Sequence, residues 1–190
     1  MGLYIQSLEN LPVNTSRSYY VYLLDYGWSE PLGEVLMENY EKMASIAAEN
    51  DAVVIRGIKR VHFEDEVLSW HNINGENAEE ILPAILITNR HPSKFKESFN
   101  SQDNYGNIES DLKLILIPLK KFCKSTTEVV SLVEKLFNDI KAKKDLSDFR
   151  VGKVTKKGLG RALVDSVILE PNIAGLGYNF NSLIDYFRNK

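Results

Sequence analysis

Two short β-rich apolar runs joined by one helical stretch constrain this chain more than any other feature. From Ser18 to Asp25 the side chains are apolar on both alternating faces, as in a strand covered on both sides. From Glu30 to Asn50, the positions Leu32, Val35, Leu36, Met43, Ile46 and Ala47 recur at helical spacing, with Glu38, Glu41, Lys42 and Glu49 between them. Ser29 is positioned to cap this helix, and Pro31 fits its first turn, where a missing N–H costs nothing. Asn50 and Asp51 then turn the chain into Ala52–Ile55, a second buried strand closed by Arg56 and Gly57. A helical crossover between two strands places them parallel, so the chain is read as α/β.

Downstream, Val67–Trp70 reads as a third strand, followed by a polar turn over 72–77 and a short helical stretch ending at Ile81. Pro83 opens a β-branched strand over Ala84–Thr88, and Leu112–Leu119 forms another. Between them the polar segment 89–111 is long for a connection within a compact domain. Ser125 and Glu128 have capping-box spacing, and Val129, Leu132, Val133, Leu136, Phe137 and Ile140 mark the core face of the helix they start. Past Lys141 the composition turns basic. A further strand is expected over Ala162–Leu169 and a closing helix over Ser182–Arg188. The organisation expected is a single domain, 1–190, with a core over 18–141 and a basic C-terminal extension over 142–190.

Local motifs sharpen this order. Leu23-Leu24-Asp25-Tyr26-Gly27-Trp28 precedes Ser29-Glu30-Pro31-Leu32, and Leu82-Pro83 leads directly into the next strand. The pattern resembles the thioredoxin-like family, in which an Asp-ended strand leads to a Trp and a Cys-x-Pro-Cys motif, and a cis-proline precedes a later core strand. Ser29 and Leu32 stand here where that family has its two cysteines. The resemblance implies a three-layer α/β domain with β-α-β followed by proline-led β-β-α; the alternative is an open, doubly wound parallel sheet. It also implies a groove formed by Trp28, Ser29, Glu30, Pro31, Leu82 and Pro83 that holds a peptide or a partner subunit. Thiol–disulfide exchange does not carry over, because it needs a thiolate and a resolving sulfur. The reading is therefore a non-redox binding or scaffold module. An enzyme reading stands beside it, in which Ser29 serves as in glutathione-using transferases, or Asp25 works with His71 or His91 as in a hydrolase.

Charge and cysteine content narrow the rest. The formal net charge of −3 offers no global attraction to nucleic acid or to anionic lipid. Eight basic residues against two acidic ones between Lys141 and Arg161 make a local polyanion site at Lys143, Lys144, Lys156 and Lys157 a third reading, although no aromatic ladder for single strands is interleaved. Cys123 is the only cysteine, so no intrachain disulfide forms and a reducing, cytoplasmic setting is expected. Its lysine neighbours Lys120, Lys121 and Lys124 would favour a thiolate were the side chain exposed, whereas a half-buried structural role needs no such reactivity. The first residues lack a secretory pattern, and the apolar runs fall far short of the ~20 residues of a membrane span.

Among polar residues, Asp25 ends the first candidate strand, and His71, Asn72, Asn89 and His91 follow later ones. In a parallel sheet they would gather in one ligand crevice at the carboxyl ends. His62, Glu64, Asp65 and Glu66 lack the spacing of a zinc or calcium motif and read as a solvated acidic turn. No metal, cofactor or catalytic set is assigned.

Overall fold

The computed structural model describes residues 1–13, 16–26, 30–58, 62–71, 73, 80–95, 113–143 and 146, and the backbone of 78–79 and 167–168. The chain opens with β1 (Gly2–Ile5) and a 3-10 turn (Leu8–Asn10), then β2 (Tyr19–Leu24), α1 (Pro31–Glu38), α2 (Tyr40–Glu49) and β3 (Ala52–Gly57). There follow α3 (Phe63–Trp70), α4 (Ala78–Ile81), β4 (Ala84–Thr88) and α5, described over 92–95. The last elements are β5 (Leu114–Pro118), α6 (Leu119–Phe122), α7 (Thr126–Lys141) and a two-residue β6 (Val167–Ile168). The sheet order is β1-β3-β2-β4-β5-β6. β1, β3 and β2 run parallel, β4 is antiparallel to both β2 and β5, and β6 is parallel to β5. The fold is thus mixed α/β, and the mixed directions exclude the all-parallel doubly wound alternative.

Both faces of the sheet are covered, which explains the unbroken apolar runs of β2, β4 and β5. On one face Val21, Leu23, Val54, Ile85 and Ile117 pack with α1, α2 and α7 through Leu36, Met43, Leu136 and Phe137. On the other, Tyr20, Tyr22, Leu24, Ile55 and Leu86 pack with α3 through Phe63 and Val67, and with Leu8 and Phe95. The alternation of Tyr20, Tyr22 and Leu24 against Val21 and Leu23 is the period-two signature of a strand serving two layers.

Several expected boundaries move. The stretch 30–50 is two helices that meet at Asn39, where the backbone opens to φ −83°, ψ 1° and the side-chain amide donates to the Val35 carbonyl at 2.9 Å beside the Asn39 N–H. The residue at the N-cap of α1 is Glu30, with no side-chain capping bond, and Ser29, the expected cap, lies outside the described residues. Val67–Trp70 is not a strand but the C-terminal half of α3. A four-residue apolar run is ambiguous by itself, and the burial of Phe63, Glu64, Val67 and Leu68 on one helical face resolves it. β1 was not anticipated, since four residues carry little periodicity. Ser125 caps α7 as expected, accepting from Glu128 N–H at 3.3 Å, while the Glu128 carboxylate accepts from Lys124 N–H at 2.6 Å. The expected helix over 182–188 and all but 167–168 of the strand over 162–169 lie outside the described residues. No helix among the described residues is long and apolar enough to cross a membrane.

Candidate functional site

The end of the sheet where β2 stops and β4 starts gathers much of the expected partner-binding set. β2 and β4 pair with Leu24 opposite Ala84, so one step further Asp25 stands across from Pro83, whose bond to Leu82 is cis. The Pro83 carbonyl accepts from Leu119 N–H at 2.8 Å, which locks the start of β4 to the start of α6. Leu82 and Pro83 are buried. Glu30, at the start of α1, reaches Lys120 of α6 at 2.9 Å, and this ion pair spans the same end of the molecule. Trp28 and Ser29 lie outside the described residues.

Asp25 is held against the first turns of α1. A Cβ added at Gly33 would lie 2.9 Å from an Asp25 carboxylate oxygen, so the absence of a side chain at Gly33 makes this approach possible. A second carboxyl joins from α3. Glu64, 6% exposed, accepts hydrogen bonds from its own backbone N–H and from that of Asp25. Burial pushes its carboxyl above the ordinary glutamate range, the charges of Asp25 and Asp65 add to this, and the two N–H groups pull the other way. Tyr26 donates to Asp65 at 3.0 Å, and Glu66 accepts from Ser7 Oγ at 2.7 Å and Leu8 N–H at 3.0 Å. The expected solvated acidic turn is therefore corrected. Its carboxylates tie β2, α3 and the N-terminal turn together, and Glu64 is withdrawn from water. Among the described residues no group of three or more metal-ligating side chains has the geometry to hold a metal ion.

The crevice expected from Asp25, His71, Asn72, Asn89 and His91 does not assemble as one group. β4 runs antiparallel to β2, so Asn89 and His91, which follow β4, stand at the end of the sheet opposite Asp25. Asn89 Oδ1 accepts from Lys113 N–H at 2.7 Å and closes the β4–β5 pair. His91 Nδ1 accepts from Ser93 N–H at 3.2 Å and lies 2.9 Å from Ser93 Oγ, a local arrangement at the start of α5. His71 follows a helix rather than a strand. It is fully buried, 5.1 Å between ring centres from Tyr22 and 4.6 Å from Phe95. Its Nδ1 lies 2.7 Å from the Val67 carbonyl, which only accepts, so the proton sits on Nδ1. His71 Nε2 and Tyr22 Oη are buried without a hydrogen-bond partner among the described residues. Asn72 lies outside the described residues.

Cys123 is 5% exposed, and burial pushes its thiol up to about 12, with the Glu128 charge adding to the effect. The lysines that suggested a thiolate are outweighed by desolvation, so the structural reading of this cysteine holds. Of the four lysines of the expected polyanion site only Lys143 is described, exposed just past α7 in a left-handed conformation at φ 53°; Lys144, Lys156 and Lys157 lie outside the described residues. Sequence reasoning missed Gly33, Glu64 and Lys120 as parts of the α1 end. A glycine inside a helical pattern, one turn from a strand-ending Asp, was the available signal for the first. Comparison of the chain with protein-family models, with curated proteins and with solved structures finds no match.

Proposed function

We propose that this chain is a non-redox, thioredoxin-like binding module, and that the end formed by Trp28, Ser29, Glu30, Pro31, Leu82 and Pro83 holds an extended peptide or a partner subunit. The observation that carries the reading is the strand order β1-β3-β2-β4-β5 with β4 alone reversed against its parallel neighbours, led by a proline that stands across from the end of β2. In that topology the chain before β4 lies beside the α1 N-terminus, where backbone groups and a helix end are available to an extended ligand. The hydrolase alternative is disfavoured, because Asp25 and His91 stand at opposite ends of the sheet and His71 is sealed in the apolar layer.

Phage-displayed peptides selected against the full chain, with affinities measured by calorimetry, test this. Trp28→Ala is expected to weaken the selected peptides by about tenfold or more, as aromatic anchors often do, with little change in melting temperature. Equal binding by a folded Trp28→Ala chain removes the site, and loss of the fold assigns Trp28 to the core.

A further inference from the structure

Beside the edge strand β1, a half-buried cation on the neighbouring strand β3 lies between aromatic rings, next to peptide groups of β1 that are unpaired among the described residues. β1 is the terminal strand of the sheet. Val54 N–H donates to the Met1 carbonyl and Ile58 N–H to the Ile5 carbonyl, so residues 1, 3 and 5 turn their peptide groups toward β3. Gly2 and Tyr4 turn theirs outward, where they meet no hydrogen-bond partner among the described residues. Natural edge strands are commonly blunted by lysine, proline or a bulge, and Gly2–Ile5 has none of these.

The side chains around this edge are equally unfinished. Tyr4 and Ile58 are 55% and 42% exposed, two of the three large hydrophobic residues left exposed among those described. Between them in register stands Arg56, paired with Tyr4 across the ladder. Its guanidinium carbon lies 4.9 Å from the Tyr4 ring centre and 5.6 Å from that of Tyr40. Tyr40 is itself pinned to the strand, since a Cβ at Gly2 would lie 2.5 Å from its hydroxyl. Arg56 makes no ion pair among the described residues, and its Nε is buried without a partner. The two rings fix the orientation of the cation but give its N–H donors no partner among the described residues.

We propose that this edge docks an extended acidic segment of a partner protein, which adds a strand to β1 and places a carboxylate on Arg56. Strand addition would satisfy the Gly2 and Tyr4 peptide groups, and a planar guanidinium matches a carboxylate through two parallel hydrogen bonds. A second copy of this chain fits poorly. Pairing β1 with itself would leave Arg56 unmatched, because Gly2–Ile5 supplies no carboxylate to meet it.

The test uses the full isotope-labelled chain with a blocked peptide alternating valine and glutamate, and its lysine counterpart. The glutamate peptide is expected to shift the Gly2 and Tyr4 amides and to bind about tenfold or more tightly than the lysine peptide. Arg56→Gln should lower that affinity about tenfold. Tyr4→Pro should abolish binding with the fold retained, because the Tyr4 N–H makes no bond to β3. Equal affinity for the two peptides, undiminished binding by Arg56→Gln, or shifts confined to another surface overturns the proposal. So does a concentration-dependent dimer showing the same shifts without peptide, which makes a second copy the occupant. If Tyr4→Pro does not fold, Arg56→Gln decides.

Discussion

His71 shows how one side chain couples the core of this protein to pH. Burial lowers its pKa from 6.5 to about 4, a shift that the Nδ1 hydrogen bond to Val67 only partly resists. The folded state therefore holds His71 neutral while the unfolded chain takes up a proton below pH 6.5. Stability present above that pH is lost as the pH falls toward 4, by about 3 kcal/mol at pH 4 on a linkage estimate. Glu64 acts in the opposite sense. Its raised pKa means that ionisation opposes folding, so acidification relieves it. Chemical denaturation between pH 7 and 5, where most carboxylates stay charged, should show the decline, and a His71→Leu variant should lack it. An unchanged slope in that variant would assign the decline elsewhere. The histidine's position could be read from the sequence, but its environment could not. That environment depends on Tyr22 and Phe95, which are distant in the chain and meet His71 only because α3 folds back over β2.

At the scale of elements, α7 was the most legible and α3 the least. Ser125, Glu128 and the stripe from Val129 to Ile140 specify start, period and buried face in a single 16-residue helix. Ser125→Ala, which removes the acceptor for Glu128 N–H, should lower stability by about 1 kcal/mol, measured as a shift in denaturation midpoint at unchanged m-value. A loss below a few tenths of that figure would mean that the Glu128 contact to Lys124 carries the cap. In α3, Val67–Trp70 imitates a strand, and only the partners of Phe63 and Val67 across the sheet decide for a helix. β1 passed unnoticed for a related reason. Its contribution is a parallel ladder with β3, a strand separated from it by roughly fifty residues, so no local pattern announces it.

For the whole molecule, the single cysteine governs what chemistry the thioredoxin-like reading can include. Cys123 is buried on the α7 side of the sheet and its thiol is held far from ionisation. The intact chain should show no turnover in an insulin-reduction assay above a control carrying Cys123→Ala; activity that disappears with the cysteine would defeat the non-redox reading. The sequence by itself determined the β-α-β order, the proline-led strand, the capped α7 and the α/β class. These rest on spacing, turn residues and caps, which act over a few neighbouring positions. Tertiary structure decided the direction of β4, and with it the separation of Asp25 from Asn89 and His91. It also decided the burial of Glu64 and the half-buried cation on β3 that packs against the edge strand β1. Each of these depends on which strands become neighbours and which surfaces are then covered, a property of contacts between segments far apart in the chain.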